Sequence, residues 1–372
     1  MANKMESKNQ YNPLTVSHPG KTLLSKIQEI GMSVREFALR AAKPEKTILA
    51  VIKGNSSITP DMAVIFENVT QIPAHFWLAR QRKYDEYLAK RRMEQRIESS
   101  IEWADRFPLK LMKEYGWIQS FSNATSKTKA LLQFFAVTSP EAWENYYLNC
   151  QLKVAFRISL RSTSEPYAIS AWLRQGERQA EKTTVKGIYS NRILREKLPE
   201  MKAVMVEKPE GWISLLQELC SECGIKLIFT HSLPKAPINA ATRWLYGKYP
   251  CIQMSANENR YDIFWFSFFH EIGHILLHGK KDIFLENIEY DSKEKEKELE
   301  ADRFAANMLL PLAQEEEIIA NDDFDEPTIL SFAKKFNTHP SIIVGRLQHR
   351  RYISKQQDTN LLISIELTDK KI

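Results

Sequence analysis

His270-Glu271-Ile272-Gly273-His274 places two imidazoles four residues apart with a carboxylate beside the first. On an α-helix, residues four apart are offset by about 40° in azimuth and about 6 Å in rise, so both rings point to one side. That arrangement supplies two of the borderline-soft donors that Zn2+ takes at about 2.0–2.1 Å. Glu271 projects on an adjacent bearing. It is too close in sequence to share the coordination geometry, but well placed to take a proton from an attacking water. The flanking Phe264, Phe266, Phe268, Phe269, Leu276 and Leu277 are apolar. They are expected to anchor the helix in a core and keep a metal in a low-dielectric pocket, where its field acts strongly.

The pentapeptide alone also fits a buried helix whose histidines are satisfied by hydrogen bonds, so a third ligand decides. A further glycine and histidine at metzincin spacing are absent, since Leu277 and Lys280 hold those positions. A following helix, "EKELEADRFAANMLLP", supplies an alternative. Glu298 and Asp302 are four apart on one face, so Glu298 can coordinate while Asp302 accepts a hydrogen bond from the back of a metal-bound histidine. Glu300 is the rival ligand, but it lies on another face and has no acidic partner four residues on. His278, one more turn along, is a candidate oxyanion donor or outer-shell histidine, with Tyr246 and Tyr290 as further oxyanion candidates.

The elements that must position these residues begin at Gly211. "GWISLLQELCSECG" reads as an amphipathic helix and "IKLIFTH" as a strand. "RWLYGKYPCIQMSAN" reads as a hairpin with Gly247-Lys248 at its turn, and the metal-ligand helix starts near Tyr261-Asp262. The strand "CIQMSAN" is expected at a sheet edge, where it could pair with an extended substrate. Together, "WFSFFHEIGHILLHGK" and "EKELEADRFAANMLLP" resemble the ImmA/IrrE family of cytoplasmic zinc peptidases, over roughly Gly211–Ile353. The resemblance implies an α+β gluzincin-like metallopeptidase domain that cuts or disables repressor proteins. By position it implies Zn2+ held by His270, His274 and Glu298, with Glu271 as general base. "PTILSFAKKFNTHPSIIVGRLQHRRYI" looks like a helix-turn-helix-shaped tail. It is expected to pack on the peptidase domain despite Arg346, His349, Arg350 and Arg351, and His339 and His349 are given no metal role.

Residues 18–92 form a second constellation, a run of short helices with clear punctuation. Pro19 opens the first and Gly31 closes it; Ser33-Val-Arg-Glu36 is a capping-box pattern; Pro44 and Gly54 bracket a third; Thr59-Pro60 opens a fourth. After Ile72-Pro73 comes a long helix, increasingly basic toward its end. A helix, a short turn and a second helix with basic and polar residues is a DNA-reading geometry, though a small helical bundle shares it. The stretch "SHPGKTLLSKIQEIGMSVREFALRAAKPEKTILAVIKGNSSITPDMAVIFENVTQIPAHFWLARQRKYDEYL" resembles the five-helix helix-turn-helix domain of HigA-type antitoxins and related Xre-family repressors. By that resemblance the third helix enters the major groove of a double-stranded operator. Lys46, Thr47 and Ala50 lie toward bases or backbone, and Lys43 and Lys53 near phosphate. Leu49 departs from the small polar residue usual there, and Glu45 puts a negative charge at the groove. Repressors that read paired half-sites dimerise, so a homodimer is expected.

The charge agrees with this division. Residues 1–100 hold 16 Lys/Arg and 10 Asp/Glu, which accounts for the whole formal net charge of +6. No run reaches the 18 apolar residues of a membrane span, and the polar N-terminus has no signal core. Four scattered cysteines fit a reducing cytoplasm rather than a disulfide framework, and Cys220-Ser-Glu-Cys223 is a CxxC with no second pair. The expected organisation is mostly α with a small β-sheet. It comprises a DNA-binding domain over 1–95, a helical linker or spacer over 96–205, a peptidase domain over 206–353 and an extension over 354–372. Two functions compete: a DNA-tethered zinc endopeptidase acting on a repressor or toxin partner, and a non-catalytic repressor-antitoxin whose metallopeptidase-like domain senses or binds a partner.

Overall fold

A computed structural model of the protein describes residues 16–151, 166–234, 238–255, 259–278, 284–285, 292–354 and 359–367. The chain divides into two units, Met1–Ser99 and Ser100–Ile372. In the first, five helices follow the expected punctuation: α1 Pro19–Glu29, α2 Val34–Arg40, α3 Glu45–Ile52, α4 Pro60–Thr70 and α5 Ala74–Glu98. Ser33 Oγ accepts the Glu36 N–H at 3.1 Å and Thr59 Oγ1 the Met62 N–H at 3.3 Å, satisfying donors that a helix start leaves without partners. Leu23, Phe37, Ile48, Val51, Phe66 and Trp77 fill the centre. Between α2 and α3 the chain turns through Ala42 at φ 46°, a left-handed backbone taken without a glycine.

The second unit opens with α6 Ile101–Ala104, α7 Leu109–Glu114, α8 Ala124–Phe135 and α9 Pro140–Trp143, followed by a π-helical stretch, Glu144–Gln151. Then come α10 Pro166–Lys182, α11 Asn191–Glu207 and α12 Trp212–Glu222. The strands are β1 Lys226–Thr230, β2 Ala240–Leu245, β3 Tyr249–Ser255 and the short β4 Phe284–Leu285, in the order β1-β3-β2-β4. β3 runs parallel to β1 and antiparallel to β2. The hairpin forms, but its turn is centred one residue earlier than expected, with positive φ at Tyr246 (54°) and Gly247 (63°). The expectation of an edge strand fails: β3 is paired on both sides, so its backbone is committed to the sheet. Ala256 and Asn257 of that stretch lie outside the described residues. β1 is the outer strand on one side and β4 on the other. On β1, the Phe229 carbonyl accepts from Gln179 Nε2 at 2.8 Å and the Leu227 carbonyl from Gln217 Nε2 at 3.2 Å, which closes that edge to a further strand.

The alternation of the strands sets two faces. Leu227, Phe229, Ile252 and Met254 join the large core that holds α13 Tyr261–Leu277. On the other face, α10 lies against the sheet through polar contacts: Gln253 Nε2 donates to the Trp172 carbonyl at 2.8 Å, and a Cβ on Gly176 would fall 1.9 Å from Gln253 Oε1. The stretch 96–205, expected as a spacer, thus supplies the backing of the sheet. After α13 come α14 Ser292–Leu309, α15 Leu312–Ala320, α16 Glu326–Phe336 and α17 Pro340–Arg350. The tail packs as expected. Arg346 and Arg350 both pair with buried Glu315 at 3.0 Å, and Gly345 comes so near α13 that a Cβ would meet Asp262 Oδ2 at 2.1 Å. Of the C-terminal extension, Ile365 and Leu367 are buried in the same core.

Candidate metal centre

α13 is buried around most of its circumference, and the sequence explains why it tolerates three ionisable groups. Phe264, Trp265, Phe268, Phe269 and Ile272 are fully buried. Each contributes about 1.5–3 kcal/mol by leaving water, which together offsets the several kcal/mol that each desolvated ionisable group costs. Phe266 is half-buried, and Leu277, at 44% exposed, does not anchor the helix as expected. Gly273 sets the approach of α14: a Cβ there would stand 3.2 Å from Ala301 Cα and 3.3 Å from Phe304 Cδ1. A helix-interior glycine costs stability, and here it admits the helix that brings the carboxylates.

His270 Nε2 and His274 Nε2 face each other at 2.9 Å. Glu298 reaches both, Oε2 to His270 Nε2 at 3.2 Å and Oε1 to His274 Nε2 at 3.3 Å. Among the described residues these three form the group of possible metal ligands, with donor atoms within 4.8 Å of one another. A tetrahedral ion with bonds of about 2.05 Å holds its ligand atoms about 3.3 Å apart, so the donors stand within a few tenths of an ångström of that spacing. The electrostatics tell the same story. Burial pulls the His270 imidazolium down, but the carboxylates of Asp302 and Glu298 outweigh it and hold the group up at about 11. Burial holds His274 down to about 4 against the pull of Glu298. Burial pushes Glu298 up, yet the adjacent imidazoles of His270 and His274 bring it down to about 2. A mixed nitrogen and oxygen donor set fits Zn2+.

The remaining expected residues fall around this centre. Asp302 Oδ1 stands 2.9 Å from His270 Nδ1, behind the ring. Glu300, the rival ligand, points instead to His278 Nε2 at 3.1 Å. His278 Nδ1 faces His274 Nδ1 at 2.9 Å, so it lies behind His274, away from the convergence point, and is not placed as an oxyanion donor. Glu271 is completely buried beside the centre, and its backbone carbonyl accepts from Thr242 Oγ1 at 3.4 Å. Tyr246 stands at the hairpin tip, 81% exposed, and Tyr290 and Lys280 lie outside the described residues. Cys220 and Cys223 are free and buried in the core, where burial pushes both thiols up, Cys223 to about 11. His339 caps α17, its Nδ1 accepting the Ser341 N–H at 3.1 Å. Sequence reasoning missed Thr242 and Tyr189, which hold the backbone of α13 at Glu271 and Ile275. They come from 29 and 86 residues away, and nothing local marks them. Gly273 did carry a signal, as a glycine inside a strongly apolar helix.

In the first unit, α3 buries Ile48 and Val51 and turns another side outward. Lys46 and Lys53 are exposed, and Lys43, Thr47 and Ala50 half-exposed. Lys46, Ala50 and Lys53 follow one another at helical spacing, with Thr47 on the adjoining side and Lys43 just before the helix.

Residues 220–348 match the family model of the IrrE N-terminal-like domain, Peptidase_M78. Two solved structures are similar to the N-terminal region. One is a candidate antidote protein of a plasmid maintenance system from Nostoc punctiforme. It is 26% identical, with 22% of this chain and 91% of that one covered and a TM-score of 0.22. The other is an addiction module antidote protein of a HigA family from Coxiella burnetii. It is 29% identical, with 23% and 95% covered and a TM-score of 0.22. No curated protein matches the chain. No described helix is long and apolar enough to cross a membrane. The second unit therefore carries an IrrE N-terminal-like, metallopeptidase-like domain over residues 220–348, in one chain with a five-helix N-terminal unit.

Proposed function

We propose that the second unit holds one Zn2+ through His270, His274 and Glu298 and hydrolyses a peptide bond in a regulatory protein, a repressor or a toxin partner. The observation that carries this reading is the convergence of those three side chains from two helices, with Glu271 buried beside them. Bound there, Zn2+ supplies a Lewis acid that polarises the scissile carbonyl and acidifies water. Glu271 takes the proton of the attacking water and returns it to the leaving amine. Asp302 holds the back of His270 and keeps its Nε2 turned to the centre.

The first unit directs this chemistry to a double-stranded operator, in the manner of an antitoxin-type repressor working in the cytoplasm as a homodimer. Lys46, Thr47 and Ala50 approach base edges or backbone, and Lys43 and Lys53 the phosphates. The exposed face of α3 and the excess of positive charge in residues 1–100 support this part. A degradative enzyme gains nothing from an operator-binding unit, which favours a regulatory substrate.

Elemental analysis of the purified chain tests the metal reading. About one zinc per chain is expected in the wild type and in Glu300→Ala, and none in Glu298→Ala. A wild type that takes up no zinc when supplied with it would reduce the histidine pair to core packing.

A further inference from the structure

His274 is held from behind by a chain of two further groups. We infer that His278 and Glu300 form a positioning arm that fixes the tautomer and orientation of His274 for the metal; this rests on the zinc reading above.

The proton positions follow from one end of the chain to the other. A carboxylate oxygen accepts, so the proton between Glu300 Oε2 and His278 Nε2, 3.1 Å apart, belongs to the histidine. In the tautomer that donates from Nε2, the ring carries its lone pair at Nδ1. That lone pair faces His274 Nδ1 at 2.9 Å, so the proton there belongs to His274. His274 Nε2 is then left with a lone pair, aimed at His270 Nε2 and Glu298 Oε1. The distances suit a relay in which each ring donates outward and accepts inward, and the last lone pair is the one a metal ligand needs.

The local fold supports the arm. His278 is the residue where α13 ends; its backbone turns extended, φ −113° and ψ 167°, while its N–H still donates to the His274 carbonyl. Its side chain is only 3% exposed, so both ring nitrogens need protein partners, and both have them. Glu300 is 48% exposed and can be exchanged without opening the core. The arrangement is two-sided. Asp302 ends the arm behind His270, Glu300 ends the arm behind His274, and Glu298, from the same helix, reaches both histidines as the ligand. Alternate residues of five on α14 therefore supply one metal ligand and the ends of both arms.

The test is Zn2+ affinity of the full chain, measured by competition with a chromophoric chelator, with thermal unfolding run beside it. His278→Ala is expected to weaken binding about 10–100-fold while still saturating at one zinc per chain. Glu300→Ala weakens it in the same direction by less. His278→Asn places an amide oxygen where Nδ1 stood, and Glu300→Gln keeps an acceptor, so both return affinity to near wild type. If His278→Ala and Glu300→Ala both bind within about twofold of the wild type, the arm does no positioning. If His278→Asn binds as weakly as His278→Ala, the ring only packs, and the inference fails on that ground. A wild type that binds no Zn2+ overturns the zinc reading itself and takes the arm with it. That result is distinct from a wild type that binds and variants that match it.

Discussion

Replacing Glu271 by Gln keeps the volume of a completely buried side chain and leaves the three convergent ligand atoms in place, but removes the proton acceptor. General-base steps contribute about 10²–10⁴-fold. Glu271→Gln is therefore expected to retain one zinc per chain and to lose at least about 100-fold in cleavage of a fluorogenic peptide library, while His270→Ala loses both metal and cleavage. Zinc content and hydrolysis measured on the same preparations check this; a Glu271→Gln chain that cleaves at the parent rate would remove Glu271 from the mechanism. Most of this centre was legible from spacing alone. Histidines four residues apart, and Glu298 and Asp302 four apart, are at helix-turn spacing, and the structure brings the histidines and Glu298 to one point with Asp302 behind His270. His278 was legible as an oxyanion or outer-shell candidate, but not as the group behind His274. Its role depends on how the helix ends and on which carboxylate of α14 turns toward it, and both are set by packing.

At the scale of elements, the centre exists because α13 and α14 approach closely at Gly273. Gly273→Val forces the two helices apart at Ala301, a small-to-large change that costs about 1–3 kcal/mol. The same displacement withdraws Glu298 and Asp302, so zinc affinity falls by about tenfold or more even where the fold survives. Chelator competition and thermal unfolding of this variant check both effects, and an unchanged affinity would mean that α14 is positioned by contacts elsewhere. The helices of the first unit could be read from the chain because their stop and start signals are local: Ser33 and Thr59 as caps, Pro19 and Pro60 at first positions. The neighbours of a strand are not local. "CIQMSAN" has the pattern of a buried strand, yet nothing in it says that β1 will lie on one side and β2 on the other. α10 buries Ile169, Trp172 and Ala180, but an apolar side does not name its partner, and the polar bonds of Gln179, Thr230 and Gln253 that seat it on the sheet span distant segments.

Taken as a whole molecule, the chain keeps its excess of positive charge within residues 1–100. Binding of the full chain to duplex DNA is therefore expected to weaken steeply between about 50 and 200 mM salt, because each phosphate contact releases counterions. Lys53→Gln lowers the slope of log K against log salt by about one. Fluorescence anisotropy with a labelled random-sequence duplex measures both, and an affinity indifferent to salt would remove the operator from the reading. One feature of the second unit bears on descent as well as on chemistry. In the function proposed above, His270, His274 and Glu298 would grip the metal, while the proton acceptor would be a separate residue, Glu271, held through its backbone by Thr242. Catalyst and scaffold are thus a single substitution apart. A lineage can surrender turnover at Glu271 and still inherit the full architecture of the centre, so a hydrolase and a silent partner-binding protein can share this fold as close kin.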